Sequence, residues 1–220
     1  MTSSRSGATP VIAVLDYGIG NLRSAQKALE HVGADAHLTA DHDMISAADG
    51  VVLPGVGAFG ACMDALRATD LAGVAAAAAG AAAEGQGPPF LGICIGMQLL
   101  YEGSDESPGA RGLGVLSGRL RCLPAGVKHP QMQWNVLDVL RPSTLLAGLP
   151  DPTWAYFVHS YAAEDHSHVV ATCDYGGPVA AAVERNQLSA TQFHPEKSGA
   201  NGLAALGNFT RACAGVPAER

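Results

Sequence analysis

Short apolar runs alternate with segments of helical periodicity through the first half of the chain. The apolar runs predict buried β-strands at residues 11–17, 34–40, 50–55 and 88–94. The segments between them either repeat apolar residues every three or four positions or are rich in alanine, and they predict helices at 21–33, about 59–66 and 71–85. Because strand and helix alternate, we expect a parallel sheet covered by helices on both faces.

The pattern changes from about Leu113 onward, where short strand-like runs are separated by Pro, Gly and Asp. Such runs are typical of an antiparallel or mixed extension of the same sheet. Residues 202–214 have apolar positions at helical spacing and predict a closing helix. No repeat or long linker divides the chain, so we expect one α/β domain over residues 11–220, preceded by a disordered tail over residues 1–10.

Composition and charge narrow the class of protein. Of the 220 residues, 48% are hydrophobic and 15% are charged, which is typical of a compact globular chain. The formal net charge of -7 gives no electrostatic basis for binding nucleic acid or an anionic membrane. No window approaches the roughly 18 unbroken apolar residues of a transmembrane helix. The first ten residues lack the apolar core of a signal peptide.

The cysteines predict reduced thiols rather than a disulfide framework. They lie far apart and their number is odd, at Cys62, Cys94, Cys122, Cys173 and Cys213. With no secretion signal, this pattern indicates a cytoplasmic protein. No C-x-x-C pair is present and the histidines do not cluster with cysteines, so we expect no metal site and no cofactor.

The segment "GVGAFG", residues 55–60, matches the G-x-G-x-x-G pattern of dinucleotide-binding loops. It follows the third predicted strand rather than the first, and no acidic residue ends a strand about twenty positions later. Such a loop can instead present backbone N–H groups to a developing negative charge. Nucleotide binding and oxyanion binding are therefore competing interpretations of this loop.

A second glycine-flanked motif, "GICIG", places Cys94 between Gly92 and Gly96. This is the pattern of a nucleophile elbow, in which a sharp strand-to-helix turn strains the nucleophile and small neighbours relieve crowding. The segment "GMQLLYE" can form the following helix, whose N-terminus would favour a thiolate. The N–H of Ile95 would form half of an oxyanion hole, and the Val56–Gly57 loop would supply the other half. Alternatively, Cys94 is an ordinary buried thiol in a core strand.

A candidate base lies downstream in "TQFHPE". His194 ends an apolar run, and Pro195 keeps the backbone at His194 extended. Residues two apart in an extended segment project to the same side, so the Glu196 carboxylate could orient the His194 ring. Taken alone, this motif could equally form a surface turn. Together with the elbow it predicts a triad of Cys94, His194 and Glu196.

At these motifs the sequence resembles the class I glutamine amidotransferases. "GICIGMQLL" and "TQFHPE" are similar to the nucleophile and His-x-Glu segments of that family. More narrowly, "DYGIGNL", "VLPGVGAFG", "GMQLLYE" and "YFVHSYAA" are similar to segments of the glutaminase subunits of imidazole glycerol phosphate synthase. The resemblance covers nearly the whole chain after the N-terminal tail.

The resemblance implies hydrolysis of glutamine to glutamate and ammonia. The chain would form a heterodimer with a separate cyclase subunit and pass it the ammonia. That subunit would make imidazole glycerol phosphate and an aminoimidazole carboxamide ribotide in histidine biosynthesis. Cys94 would attack the side-chain amide, His194 would transfer protons, and Glu196 would orient His194. The N–H groups of Ile95 and of the Val56–Gly57 loop would hold the oxyanion.

The resemblance also implies which residues contact the substrate and the partner. Glutamine would be bound by Gly55, Gln98, Ser160 and Tyr161. The cyclase would contact Asn21, Met132, Trp134 and Lys197. Where the family reads Pro-His-Met-Gly-Trp-Asn, this chain has Gln131 and Gln133 in place of the histidine and glycine. That segment is implied to lie near the partner, so we expect the two replacements to affect docking or signalling.

Two alternative functions remain open from the sequence. A stand-alone cysteine amidase or γ-glutamyl hydrolase could be built on a similar sheet and would need no partner. A nucleotide-binding oxidoreductase would use the loop at Gly55–Gly60.

Overall fold

The computed structural model of the chain describes residues 9–216, so the tail expected at residues 1–10 lies, up to Ala8, outside the described residues. The strands are β1 (Val11–Leu15), β2 (Asp35–Thr39), β3 (Gly50–Gly55), β4 (Phe90–Cys94), β5 (Gly103–Ser104), β6 (Arg119–Cys122), β7 (Gln131–Val139), β8 (Thr153–His159), β9 (Tyr161–Ala163), β10 (Val169–Asp174), β11 (Pro178–Arg185) and β12 (Leu188–Thr191). The helices are α1 (Leu22–His31), α2 (His42–Ala47), α3 (Phe59–Ala68), α4 (Leu71–Ala83), α5 (Ile95–Gln98) and α6 (Gly199–Cys213), with a 3-10 turn at Pro195–Lys197.

A large mixed sheet runs through the molecule in the strand order β2-β1-β3-β4-β12-β11-β10-β7-β8. The strands from β2 to β12 in this order are parallel. The strands from β11 to β8 continue the sheet in antiparallel pairs. The predicted α/β domain, with a mainly parallel sheet and a mixed extension, is therefore confirmed.

Burial along the strands follows their position in the sheet. β3 and β4 are buried at every residue, because helices flank the sheet and parallel central strands are covered on both faces. β8, at the edge of the antiparallel extension, alternates buried with more exposed residues. α1 packs beside α6, and α3 packs beside α4. Among the helices of residues 9–216, none is both long and apolar enough to cross a membrane.

A second, small sheet is built from β5, β6 and β9. β8 of the large sheet ends at His159 and β9 of the small sheet begins at Tyr161, so the chain changes sheets at Ser160. The "HSY" segment is therefore a junction between two sheets rather than the end of a simple strand.

The structure differs from the predicted elements at two helices. The apolar pattern does not predict α2, because this helix is short. The sequence feature that marks its start is Asp41, a helix N-cap whose side chain accepts a hydrogen bond from the Met44 N–H at 2.9 Å. The helix expected after Cys94 stops at Gln98. The next carbonyls, of Leu99 and Leu100, accept hydrogen bonds from residues 113–116 instead of continuing the helix.

The glycines of "GICIG" let β4, its turn and α5 pack against β3. The carboxyl ends of these strands meet where Gly55 pairs with Cys94. A Cβ added at Gly96 would lie 1.7 Å from the Leu53 carbonyl oxygen, and one at Gly92 would lie 2.9 Å from the Gly96 carbonyl oxygen. No side chain fits at Gly96 without displacing the backbone of a central strand.

We expect Gly96→Ala to lower the free energy of unfolding by about 3 kcal/mol, the upper end of the usual cost of overpacking, because the buried Leu53 carbonyl cannot move aside. Gly73→Ala is the matched control, since an added Cβ at Gly73 in α4 meets no atom within 4 Å. That control should stabilise the protein by about 0.8–1 kcal/mol through helix propensity. Urea unfolding measures both changes, and similar midpoints for the two variants would contradict this account of the elbow.

Candidate active site

Cys94 occupies the turn between β4 and α5 in a strained conformation. Its φ is 53° and its ψ is -108°, an uncommon region for any residue other than glycine. The residue is buried, and its sulfur faces a cavity rather than the interior of the sheet. An ordinary core thiol in a strand needs no such backbone geometry, so the arrangement favours a presented nucleophile.

The N-terminus of α5 stabilises a Cys94 thiolate less than the sequence predicts. α5 is a single turn of four residues, from Ile95 to Gln98. The dipole of a helix is a sum over aligned peptide units, so one turn contributes only a small part of it. Other groups must therefore account for most of any stabilisation of a Cys94 thiolate.

His194 and Glu196 form a buried pair at the carboxyl end of β12. The His194 Nδ1 lies 2.8 Å from the Glu196 Oε1, and both side chains are almost completely buried. Since a carboxylate only accepts, Nδ1 carries the proton and donates it. The pair is not formed along an extended segment, as the spacing alone suggests. Pro195 begins the 3-10 turn, which folds Glu196 back towards the ring.

The His194 ring is held so that Nε2 is left for chemistry. Its backbone N–H donates to the Tyr156 carbonyl, and its own carbonyl accepts from the Ser198 hydroxyl at 2.7 Å. Nε2 is buried and has no hydrogen-bond partner among the described residues. Burial lowers the pKa of His194, but the Cys94 sulfur and the Glu196 carboxylate outweigh it and raise the pKa to about 9. The ring is therefore predisposed to carry a positive charge beside Cys94.

A cavity of about 560 Å³ joins these groups, a volume suited to a small metabolite. Most of the site residues expected from the sequence line it: Asn21, Val56, Gly57, Cys94, Ile95, Gln98, Ser160, Tyr161, His194 and Lys197. Glu196 lies behind His194. Gly55 lies against Tyr17 and Ile95, where a Cβ would be less than 3 Å from either side chain, and it does not line the cavity.

The Val56–Gly57 loop is held by two buried side chains beneath it. The Tyr17 hydroxyl donates to the Pro54 carbonyl at 2.7 Å, and the Cys62 thiol donates to the Val56 carbonyl at 3.3 Å. Gly57 has φ 95°, a conformation that a side chain would strain. The loop and Ile95 line the same cavity.

The same loop is poorly suited to a nucleotide phosphate. The first N–H groups of α3, where a phosphate would sit, are already bonded within the chain. The Phe59 N–H donates to the Glu106 carboxylate at 2.7 Å, and the Gly60 N–H donates to the Ser107 hydroxyl at 3.2 Å. A negative charge from Glu106 at this position would repel a phosphate. Residues 9–216 also contain no group of three or more His, Cys, Asp or Glu side chains placed to hold a metal ion.

The polar residues of the site that sequence reasoning missed include Glu106 and Gln192. Glu106 lines the cavity from the loop after β5, and nothing in its local sequence signals this. Gln192 is fully buried two residues before His194, and its Nε2 lies 3.8 Å from the Cys94 sulfur. The signal available for Gln192 was a polar amide within an otherwise small and apolar strand end.

Gln98 connects these groups. Its Nε2 donates to the Tyr161 carbonyl and to the Gln192 Oε1, both at 3.0 Å. Its Oε1 is buried and has no partner among the described residues, although Gln98 lines the cavity. Gln98 is therefore not the solvent-facing helix residue that its sequence position alone would suggest.

Residues 130–135, where this chain departs from the family's sequence, are divided between the core and the surface. Met132 is 61% exposed and Trp134 is 49% exposed, and they follow Pro130, which lines the cavity. Gln131, in contrast, is fully buried, and its Nε2 donates to the Cys173 sulfur at 3.6 Å. Gln131 therefore lies on the inner face of β7, so any effect of this replacement on docking would have to be indirect. Gln133 is exposed.

Comparisons with known proteins identify the family of the chain. The sequence matches the family Glutamine amidotransferase class-I over residues 13–212. It is 48% identical to "Imidazole glycerol phosphate synthase subunit HisH" of Methanothermobacter thermautotrophicus, over 90% of this chain and 97% of that protein. It is 49% identical to the protein of the same name from Methylococcus capsulatus, over 91% of this chain and 95% of that protein.

A solved structure described as a glutamine amidotransferase shares the fold. It superposes with a TM-score of 0.70 at 20% identity, over 93% of this chain and 99% of that chain. The family match, the two relatives and the shared fold lead to one assignment. The chain belongs to the class I glutamine amidotransferase family, among its imidazole glycerol phosphate synthase HisH subunits.

Proposed function

We propose that this chain hydrolyses glutamine to glutamate and ammonia as the glutaminase subunit of imidazole glycerol phosphate synthase. The single observation that carries the mechanism is the arrangement of one cavity. Cys94, on a strained turn, shares the cavity with His194. The Nδ1 of His194 is hydrogen-bonded to the buried Glu196 carboxylate. A positioned nucleophile, a base and an orienting group are what acyl transfer requires.

In the first half of the reaction the Cys94 sulfur attacks the side-chain amide carbon of glutamine. Negative charge develops on the amide oxygen, where the N–H groups of Ile95 and the Val56–Gly57 loop stabilise it. The carbon–nitrogen bond then breaks. The leaving nitrogen takes a proton from His194 Nε2 and departs as ammonia, which leaves a thioester on Cys94.

In the second half water hydrolyses the thioester. His194 Nε2 accepts a proton from the water as its oxygen attacks the carbonyl carbon. The carbon–sulfur bond breaks, glutamate leaves, and the Cys94 thiolate is regenerated beside a protonated His194. Glu196 holds Nδ1–H throughout, so Nε2 always faces the reacting atoms.

The amino-acid end of glutamine fits the polar groups at the other side of the cavity. Glu106 supplies a carboxylate, and Gln98 supplies an unpartnered Oε1, both suited to an α-ammonium group. The backbone at Ser160 and Tyr161, at the junction between the sheets, would hold the α-carboxylate. Gly55 supports the loop by close packing in this proposal rather than by touching glutamine.

The mouth of the cavity is suited to a partner that receives the ammonia. Met132 and Trp134 are large, exposed and apolar, and Lys197 and Asn21 line the cavity. We assign this surface to the cyclase subunit of a cytoplasmic heterodimer. The exposed apolar side chains favour this assignment over a stand-alone cysteine amidase or γ-glutamyl hydrolase, which would have no use for them.

Cys94→Ala should abolish glutamine-dependent synthesis by the complex with the cyclase subunit, while added ammonium salt still supports cyclisation. The reason is that only ammonia release needs the sulfur. Cys122→Ser, at an exposed thiol, is the matched control and should keep both activities. Glutamine turnover that persists in Cys94→Ala would sink the proposal.

Glu196→Gln should lower kcat by about 10²–10⁴-fold, because the histidine loses the group that orients it. It should also shift the pH profile. The wild-type rate should fall at alkaline pH around the His194 pKa of about 9, as the proton for departing ammonia is lost. The Glu196 charge helps to raise that pKa, so its removal should move the alkaline limb to lower pH. The test is kcat/KM measured from initial rates across pH, with Glu30→Gln, at an exposed position in α1, as the control. If the alkaline limb of the Glu196→Gln profile stays at the wild-type pH, the assigned role of Glu196 is contradicted.

Glu106→Gln should raise the KM for glutamine by about 10–100-fold with a smaller effect on kcat, because it removes a charge opposite the α-ammonium group. Ser107→Ala removes the neighbouring contact to α3 without a change of charge, so it controls for loosening of that helix end. Steady-state kinetics separate the two parameters. Equal effects of the two substitutions would exclude a direct contact between Glu106 and substrate.

A further inference from the structure

The Cys94 sulfur accepts a hydrogen bond from a buried side-chain amide. The Gln192 Nε2 lies 3.8 Å from the sulfur, and Gln192 is fully buried at the end of β12. On another side the sulfur lies 3.9 Å from the Val158 carbonyl, which can accept a proton from the neutral thiol. The sulfur therefore lies between a donor that favours the thiolate and an acceptor that favours the thiol.

The orientation of the Gln192 amide is fixed by a main-chain group. The Tyr161 carbonyl can only accept, so the Gln98 atom that faces it, at 3.0 Å, must be the nitrogen. The same nitrogen faces Gln192 at 3.0 Å, so Gln192 presents its oxygen there. The nitrogen of Gln192 is then left to face Cys94. A flipped amide at either residue would oppose two donors or two acceptors.

The titratable groups around the sulfur leave a role for this donor. His194 faces it from the carboxyl end of β12 and supplies the positive charge. Burial raises the pKa of Tyr17 and of Cys62, so both stay neutral at physiological pH. α5 is too short to add much, and a buried neutral amide can donate a hydrogen bond without the desolvation penalty of a second cation.

We propose that Gln192 is a positioning residue that holds the Cys94 sulfur as a hydrogen-bond acceptor and stabilises its thiolate, with Gln98 fixing the direction of the Gln192 amide. The inference rests on the proposed function only in taking Cys94 as the nucleophile. Hydrogen bonds to charged acceptors are stronger than those to neutral ones, so the contact strengthens when the thiol ionises. Gln98 thus acts on two sides, with its nitrogen towards the Gln192 oxygen and its oxygen towards the substrate.

The test is the pH dependence of alkylation of Cys94 by iodoacetamide, read by mass spectrometry of its peptide without glutamine or partner. Because only the thiolate reacts, the midpoint reports ionisation directly. Gln192→Met and the isosteric Gln192→Glu should move the midpoint to higher pH by about one unit. The exposed Cys122 of the same molecule serves as the internal reference.

Gln131→Met is the matched control, because it removes a buried glutamine amide that donates to a different sulfur, that of Cys173. It should leave the Cys94 midpoint unchanged. The proposal is overturned if the midpoint of Cys94 alkylation is unchanged in either folded Gln192 variant. It is also overturned if Gln131→Met moves that midpoint by the same amount. The readout does not depend on glutamine hydrolysis, so failure of the glutaminase assignment would be recognised separately.

A measurement on the wild-type protein covers the case in which the buried variants do not fold. The side-chain amide proton resonances of Gln192 should shift with pH at the same midpoint as Cys94 alkylation, and those of Gln131 should not. If the Gln192 amide does not sense this ionisation, the sulfur is not its acceptor and the proposal is wrong.

Discussion

The close approach of α5 to β3 is the constraint on which the rest of the site depends. Gly96 lies against the Leu53 carbonyl, with no room for a side chain, so the chain can leave β4 only through a sharp turn. That turn places Cys94 at a positive φ. Strain of this kind persists only where the surroundings determine the backbone more strongly than its own preference does. Here they do, because β3 and β4 are buried central strands of a parallel sheet.

The Tyr161 carbonyl organises the polar groups that this turn brings together. It accepts the Gln98 amide and also the Nδ1–H of His159, which lies 2.9 Å away. Tyr161 begins a strand of the small sheet, whereas His159 ends a strand of the large one. The junction at Ser160 therefore ties the two sheets to the helix that follows the nucleophile. A shift of either sheet would move the hydrogen-bond acceptor of Gln98, and through Gln192 it would alter the contact to the Cys94 sulfur.

The sequence could predict those parts of the site that repeat a local backbone rule. Cys94 was found from its flanking glycines, and His194 and Glu196 from a proline that shapes the chain between them. The contact of His194 with Glu196 was predicted for the wrong reason, since a 3-10 turn rather than an extended strand forms it. Glu106 and Gln192 could not be found this way. Gln192 lies near Cys94 because strand order places the ends of β4 and β12 side by side although they are far apart in sequence. Glu106 is placed by a long-range contact of the loop after β5, where its carboxylate accepts from the Phe59 N–H at the start of α3.

The burial of Gln131 is another feature that its local sequence does not reveal. It belongs to a segment implied to lie near the partner, yet the pleat of β7 turns its side chain into the core opposite His159. The resulting environment keeps His159 neutral: burial lowers its pKa to about 4, and the nearby His194 adds to that effect. Two histidines therefore lie close together at the site, but only His194 has a carboxylate partner to hold a proton. Because His159 stays uncharged at neutral pH, the buried positive charge beside Cys94 is confined to His194, the ring that transfers a proton to departing ammonia in the proposed mechanism.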